Sequence, residues 1–245
     1  HLRMEIIKNE LIEVKNKYNE GRRTEIVYSS EEFNPEDFYA DDEMIITISH
    51  LGYIKRTPLT EFRTQNRGGV GSKGSSTRDE DFIEHIYPAS MHNTLMFFTK
   101  KGRCFWLKVY EIPEGNKSSK GRAIQNLLNI DPDDTVKAFI KVKRLGEDVA
   151  FTNSHYIVMG TKKGVIKKSL LADYSRPRQN GVIALTVKED DELISARLTN
   201  GSNEVLLATR SGRAIRFNES IVRTIGRTGQ GVRGILVRPA SSSHC

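Results

Sequence analysis

The chain is poor in the residues that mark disulfide scaffolds and metal centres. Among 245 residues there are two cysteines, Cys104 and Cys245, too few for a disulfide framework. That scarcity favours a reducing compartment, so a cytoplasmic protein is expected. Six histidines, at positions 1, 50, 85, 92, 155 and 244, have no cysteine partners and no ligand spacing, which excludes the usual zinc sites. No apolar run of about 18 residues occurs and nothing resembles a signal peptide, so a soluble chain is the expectation. The start at His1 instead of an initiator Met reads as an excised fragment, and 239–245, which ends in "ASSSHC", reads as an appended tail.

Signatures of catalysis are also scarce. The stretch "QNRGGVGSKG", residues 65–74, holds four glycines and two cations, yet it lacks the order and the following helix of a phosphate-binding P-loop. No βαβ unit surrounds any glycine cluster, which removes a dinucleotide fingerprint. Nucleophile elbows and paired-carboxylate sites are missing. "TRDEDF", residues 77–82, could suggest a divalent ion, but its alternation with the start of a strand reads as a solvated turn.

What the chain does have is an uneven charge. Residues 1–43 carry 6 Lys/Arg against 12 Asp/Glu, and the remainder carries 32 against 19. An acidic arm therefore precedes a basic body, and a basic body of this size suits a polyanion such as nucleic acid. In the arm, Leu2, Ile6 or Ile7, Leu11 and Val14 recur at helical spacing until Gly21, predicting an amphipathic helix over 1–22. Residues 23–43, acidic and interrupted by Pro35, read as a linker with room for one short helical turn.

From residue 44 the pattern becomes short β-branched and aromatic runs broken by glycine. Stacked, they form a repeat: "MIITISHLGYIKRTPL", "LMFFTKKGRCFWLKVY", "YIVMGTKKGVIKKSLL" and "VLLATRSGRAIRFNES". Each is an apolar strand, a polar step, a glycine and a second strand with cations, which predicts four hairpins turning at Gly52, Gly102, Gly164 and Gly212. A second glycine follows at 17 or 19 residues: Gly71, Gly121, Gly181 and Gly231. Its loops also carry cations. The runs "DFIEHIYPAS", "TVKAFIKV" and "ELISARLT" supply outer or connecting strands, and "GRAIQNLLNI" reads as strand by analogy with its sister copies. About four strands in each unit of roughly 50 residues predicts an all-β, bladed body over 44–238, with no comparable helix after residue 43.

The candidate ligand-binding residues are cations that recur with the repeat. On the hairpins these are Lys55, Arg56, Lys100, Lys101, Arg103, Lys108, Lys162, Lys163, Lys167, Lys168, Arg210, Arg213 and Arg216. Alternation along a strand lets Lys55 and Lys167 point outward while their neighbours pack. On the glycine loops they are Arg67, Lys73, Lys120, Arg122, Arg176, Arg178, Arg227 and Arg233. Such a stripe touches phosphates and has no recognition helix to read bases, so binding should be salt-dependent and weakly sequence-selective. A curved basic rim also suits bent duplex, since added contacts offset an elastic cost of about 1–6 kcal/mol. Phe97, Phe98, Phe105 and Trp106 lie within strands as core residues, which argues against a single-strand stacking platform.

Over residues 2–237 the chain resembles the C-terminal DNA-wrapping domain of the DNA gyrase A subunit, which is a β-pinwheel of the type IIA topoisomerases. "GRRTEI" is similar to the junction where the coiled coil of the breakage-reunion core ends. "ISHLGYIKRTPLTEFRTQNRGGVG" resembles the first blade and "DEDFIEHIYPASMHNTLMFFTKKGRCFWLKVYEIPEG" the second. "GTKKGVIKKSLLADY" and "FNESIVRTIGRTGQGVRGI" resemble the third and fourth. "QNRGGVG" falls on the family's box motif. Gln65, Arg67, Gly68, Gly69 and Gly71 fit it, Asn66 and Val70 stand where cations are favoured, and Lys73 follows shortly.

The resemblance implies about four blades of a usual six, hence a truncated pinwheel, and a non-catalytic piece whose tyrosine and DNA gate lie upstream. It implies double-stranded DNA as partner, with the gyrase B subunit and a second gyrase A polypeptide in the holoenzyme, in the bacterial cytoplasm beside the chromosome. ATP and Mg²⁺ would act through other domains, this piece holding no cofactor or metal. The topoisomerase IV counterpart and a propeller-like scaffold for protein partners remain the alternatives.

Overall fold

The computed structural model describes residues 2–21, 23–24, 35–62, 67–69, 71, 75, 77, 80–143, 145 and 148–237. It divides into a unit over His1–Pro35 and a second over Glu36–Cys245. In the first, α1 (Leu2–Tyr18) has Glu5 in its first turn and Lys15 and Lys17 in its last, which suits the helix dipole. It ends four residues before the expected boundary at 22, and all its side chains are exposed. The expected short turn in the linker is a 3₁₀ turn at Pro35–Phe38.

Among its described residues the regular structure of the second unit is β, apart from 3₁₀ turns and one short helix. Its strands are β1 (Glu43–Ser49), β2 (Tyr53–Pro58), β3 (Ile83–Ser90), β4 (Thr94–Thr99), β5 (Arg103–Lys108), β6 (Arg122–Ala123) and β7 (Val136–Val142). They continue as β8 (Tyr156–Thr161), β9 (Val165–Leu170), β10 (Val182–Ile183), β11 (Leu193–Thr199), β12 (Glu204–Ala208), β13 (Ala214–Asn218) and β14 (Val232–Arg233). The four predicted hairpins are β1–β2, β4–β5, β8–β9 and β12–β13, and the three predicted outer strands are β3, β7 and β11.

After residue 43 the described residues hold one short helix, α2 (Val149–Ser154), six residues against the 17 of α1, started by Asp148, whose carboxylate accepts from the Phe151 N–H at 2.8 Å. One local expectation is corrected. "GRAIQNLLNI" is strand only at β6. At Ile124 the chain donates to the Gly52 carbonyl and turns into a 3₁₀ helix over Ile124–Asn126, burying Ile124.

The sheet order shows how the repeats interlock. Among the described residues the sheets run β3-β1-β2-β6, β10-β5-β4-β7 and β11-β8-β9-β14, with β12-β13 as a fourth of two strands. Each full sheet takes a hairpin from one repeat and a short strap strand from the next: β6 lies on β2, β10 on β5 and β14 on β9. The strap glycines explain the second spacing seen in sequence. Gly121, Gly181 and Gly231 adopt φ of +77°, +66° and +85°. A Cβ on them would stand 2.6, 2.8 and 2.6 Å from the carbonyl oxygens of Ile54, Cys104 and Ile166, each two residues beyond the hairpin glycine of the preceding repeat. Both the left-handed backbone and the close approach require glycine.

The hairpin tips are built alike. Ser49, Thr99, Thr161 and Thr209 accept, through the side-chain oxygen, from the N–H four residues on, at 3.1 to 3.2 Å. Asp81, Asp134 and Asp191 reach from the start of the outer strand to the N–H just before the hairpin glycine, at 2.9 to 3.1 Å. "TRDEDF" thus supplies a structural clamp in Asp81.

Alternation sets the cores. Along β4, Leu95 and Phe97 pack into the cluster with Ile46, Ile48 and Phe105, whereas Met96 and Phe98 pack into the cluster with Ile157, Met159 and Leu193. A strand buried on both faces accounts for the uninterrupted apolar run "LMFF". The aromatic residues expected in the core are there: Phe97, Phe98 and Phe105 are buried, and Trp106 partly so.

Candidate nucleic-acid interface

The structure sorts the predicted cations into three groups. Lys55, Arg56, Lys167 and Lys168 are 3, 9, 0 and 5 % exposed, which corrects the expectation that Lys55 and Lys167 point outward. The strap of the next repeat lies over the second hairpin strand and covers them. Lys55 Nζ donates to the carbonyls of Asn116, Lys117 and Ser119 at 2.8, 3.3 and 2.9 Å. Lys167 Nζ donates to the Ala184 and Arg227 carbonyls, and Lys168 Nζ to that of Glu219 at 2.8 Å. Arg56 donates to the Val109 and Tyr110 carbonyls and meets Glu114 at 3.2 Å.

These side chains are bolts between successive repeats. Burial depresses the Lys55 ammonium below the usual lysine range, with Glu61 opposing. It lowers Lys167 to about 8, with Asp173 opposing and Arg227 adding to the shift.

The second group is ion-paired at the surface. Lys101 meets Asp133 at 2.6 Å, Lys162 meets Glu192 at 3.1 Å and Lys163 meets Asp190. Lys108 pairs with Glu36, and Arg216 lies 3.4 Å from Glu204 across its hairpin. The second hairpin strands are indeed poor in acid, but outer strands bring carboxylates to the tips, a pairing between residues 27 to 32 positions apart. The hydrogen bond to Asp133 raises the Lys101 pKa, and the bond to Lys162 lowers that of Glu192. Exposed pairs of this kind are weak, so they reduce the tips' positive field without fixing it. The half-buried Arg103 donates to the Asn180 carbonyl of the third strap, and Lys100 is half-buried beside the same tip.

The third group lies on the straps and the segments leading into them. Lys120, Arg122, Arg176, Arg178 and Arg233 are exposed and Arg227 is half-buried. Among the described residues none of them has a carboxylate at ion-pair distance, nor have exposed Arg210 and Arg213. Arg223, absent from the expected set, belongs with them; its place in "IVRTIGR", the segment leading into the fourth strap, was the available signal. In the first repeat Arg67, Gly68, Gly69 and Gly71 are exposed and Gly68 has φ +83°. Gln65 and Lys73, like Asn66 and Val70, lie outside the described residues.

The repeat therefore places guanidinium and ammonium groups without carboxylate partners among the described residues on the straps of successive units and the segments leading into them, at positions that differ from unit to unit: Arg122 pairs with Ile54, whereas Val232 holds that place in the fourth strap and Arg233 matches Ala123. Such an arrangement can neutralise a run of phosphates but offers no proton-transfer or nucleophilic constellation. Among the described residues no group of three or more His, Cys, Asp or Glu could hold a metal ion, and no helix is long and apolar enough to cross a membrane.

A family model described as "DNA gyrase C-terminal domain, beta-propeller" matches residues 43–90, 93–143, 155–200 and 203–239, which follow the four repeats. The DNA gyrase A protein of Haemophilus influenzae is 41% identical over 232 residues, 95% of this chain and 26% of that protein. Its counterpart from Halalkalibacterium halodurans is 43% identical over 232 residues, 95% of this chain and 27% of its own length. The chain thus spans about a quarter of these relatives. Among solved structures, a C-terminal domain of DNA topoisomerase IV aligns with a TM-score of 0.67 at 27% identity, covering 82% of this chain and 59% of the other. A DNA gyrase A C-terminal domain aligns with a TM-score of 0.62 at 24% identity, covering 81% and 62%, and supports the fold alone.

Proposed function

The chain belongs to the DNA gyrase C-terminal domain family, and on that premise we propose that it is a non-catalytic module that binds duplex DNA and bends it around a basic rim. The observation that carries this reading is the recurrence, on the straps of successive repeats, of cations without carboxylate partners among the described residues. Repetition matters because each phosphate contact adds a similar increment, and a chain of such contacts follows a curved backbone without reading sequence. Within a whole gyrase the module would present the wrapped segment for ATP-dependent negative supercoiling, with the B subunit and a second gyrase A polypeptide. ATP, Mg²⁺ and the catalytic tyrosine would act in other domains. A bacterial cytoplasmic setting beside the chromosome fits that role.

The reading is tested by ligating nicked circular DNA with the protein bound at several ratios. A linking number that shifts in proportion to bound protein is expected, and an unchanged linking number sinks the wrapping function. The topoisomerase IV counterpart is a second reading, favoured by the 0.67 TM-score and by Asn66 and Val70 in the box. Identities of 41 to 43% to gyrase A proteins weigh toward gyrase. An enzyme carrying this domain should supercoil relaxed plasmid if the gyrase reading holds, and should only relax or decatenate if the other does.

A further inference from the structure

We propose that the tip of the third strap, residues 176–179, enters the minor groove of duplex DNA and favours A·T over G·C pairs there. Resting on the duplex binding proposed for the chain, this contact adds a place where base composition is sensed. The third strap is built differently from its sisters. Its pairing Val182↔Cys104 corresponds to Arg122↔Ile54 and Val232↔Ile166, so Phe105 stands where Lys55 and Lys167 stand in the first and third hairpins. No ammonium at that place holds the carbonyls of the tip, as Lys55 holds those of Asn116, Lys117 and Ser119.

The third tip is tied at its two ends instead. Before it, Tyr174 is buried and the Ser175 N–H donates to the Ala172 carbonyl at 3.1 Å. After it, Arg103 donates to the Asn180 carbonyl, the Asn129 amide donates to the Asn180 side chain at 2.9 Å, and the Gly181 N–H closes a turn onto the Arg178 carbonyl at 2.9 Å. Between those ties lie Arg176, Pro177, Arg178 and Gln179, all exposed, and neither arginine has a carboxylate partner among the described residues. Counted back from the strap glycine, the places of the two arginines hold Asn116 and Ser118 in the second strap and Gly226 and Thr228 in the fourth. Pro177 fixes its own φ and keeps Arg176 extended, so the pair is offered on stiff backbone. Two guanidiniums on a narrow, acid-free tip suit the minor groove. A·T tracts narrow that groove and deepen its negative potential, and a guanidinium gives up water more readily than an ammonium. A G·C pair places the guanine N2 amino group there, a donor set against donors. The Gln179 amide can donate to the adenine N3 and thymine O2 acceptors beside them.

The 245-residue protein is titrated, by fluorescence anisotropy at low salt, with three duplexes of about 40 base pairs that differ only in a central block of A·T, G·C or inosine·C pairs. Inosine·C keeps the major-groove pattern of G·C and removes the N2 amino group. The A·T and inosine·C duplexes should bind about tenfold more tightly than the G·C duplex, the worth of one unfavourable base contact. Arg176→Lys and Arg178→Lys keep the charge, so each should cut that preference below about threefold while affinity for the G·C duplex stays the same. Arg122→Lys, on another strap, should leave the preference intact. A preference that survives both substitutions comes from DNA stiffness alone and overturns the proposal. Equal affinity for the three duplexes, or inosine·C binding as weakly as G·C, overturns it too and leaves duplex binding standing. If none of the three binds, duplex binding falls with it.

Discussion

Lys167 shows how one residue changes meaning between sequence and structure. In "VIKKSL" it is a strand cation that could face a phosphate, yet it is fully buried beneath the strap of the fourth repeat, donating to two carbonyls. Its folded pKa of about 8 lies below the ordinary lysine value of 10.5, chiefly through desolvation. Between those values the unfolded chain binds the proton more tightly, so stability must rise as pH increases through that window, and the cost of burying the charge is present in full below it. Lys167→Met removes the titration and leaves the orphaned carbonyls as a pH-independent loss. The stability difference between wild type and this variant, from urea unfolding, should move in favour of the wild type by about 1–3 kcal/mol from pH 7 to pH 10. A difference that is flat with pH contradicts the burial of a titrating ammonium here. Gly121 makes the complementary case for the straps: with φ +77° and a Cβ position 2.6 Å from the Ile54 carbonyl, Gly121→Ala should lower stability by about 1–3 kcal/mol. The same change at Gly21, where nothing lies within 4 Å and φ is not left-handed, should be silent in the same urea titration.

At the scale of elements, what was legible in the sequence is what is local. The hairpins could be read because Ser/Thr, glycine and alternating apolar residues fall within a dozen positions, and the outer strands because each is a continuous β-branched run. The straps could not be assigned to their sheets, because Gly121 meets Ile54 and Gly231 meets Ile166 across 67 and 65 positions, and a two-residue strand has no periodicity of its own. Separation in sequence also hid the ion pairs of the hairpin tips, 27 to 32 positions apart, and the destinations of the lysine bolts. Alternation alone therefore misreads Lys55, Arg56, Lys167 and Lys168, although the loops that carry the free cations are recognisable as a set. Strap dependence also predicts uneven stability. The β12–β13 hairpin has no strap and no outer strand among the described residues, and Leu206 and Ile215 are exposed. Its amides, those of Leu207 and Phe217 for example, should exchange with solvent at least about tenfold faster than those of Met159 and Lys167 in the third sheet, measured by native-state hydrogen exchange. Equal protection would mean that a hairpin in this fold does not need its neighbours.

At the scale of the whole molecule, the excess of cations divides into charge that holds repeats together and charge left for a partner. The two classes have different signatures in solution. A buried bolt contributes to folding and releases no counterion on DNA binding, whereas an exposed strap cation that touches phosphate contributes to the slope of log affinity against log salt. Arg122→Gln and Arg233→Gln, both on straps and both without carboxylate partners among the described residues, should each reduce that slope by about 1 and leave the urea midpoint within error of the wild type. Lys55→Met should do the reverse, lowering the midpoint because the carbonyls of Asn116, Lys117 and Ser119 lose their donor, while the salt slope measured below the unfolding transition stays the same. The hairpin-tip lysines fall between the two. Lys163 must leave Asp190 before it can meet a phosphate, so removing Asp190 frees a cation without altering the strap. Asp190→Asn should then tighten DNA binding and steepen its salt dependence, in the direction opposite to the strap variants. If Arg122→Gln and Arg233→Gln leave the slope unchanged and Asp190→Asn steepens it, the rim that meets DNA lies at the hairpin tips, and the straps serve only to join the repeats.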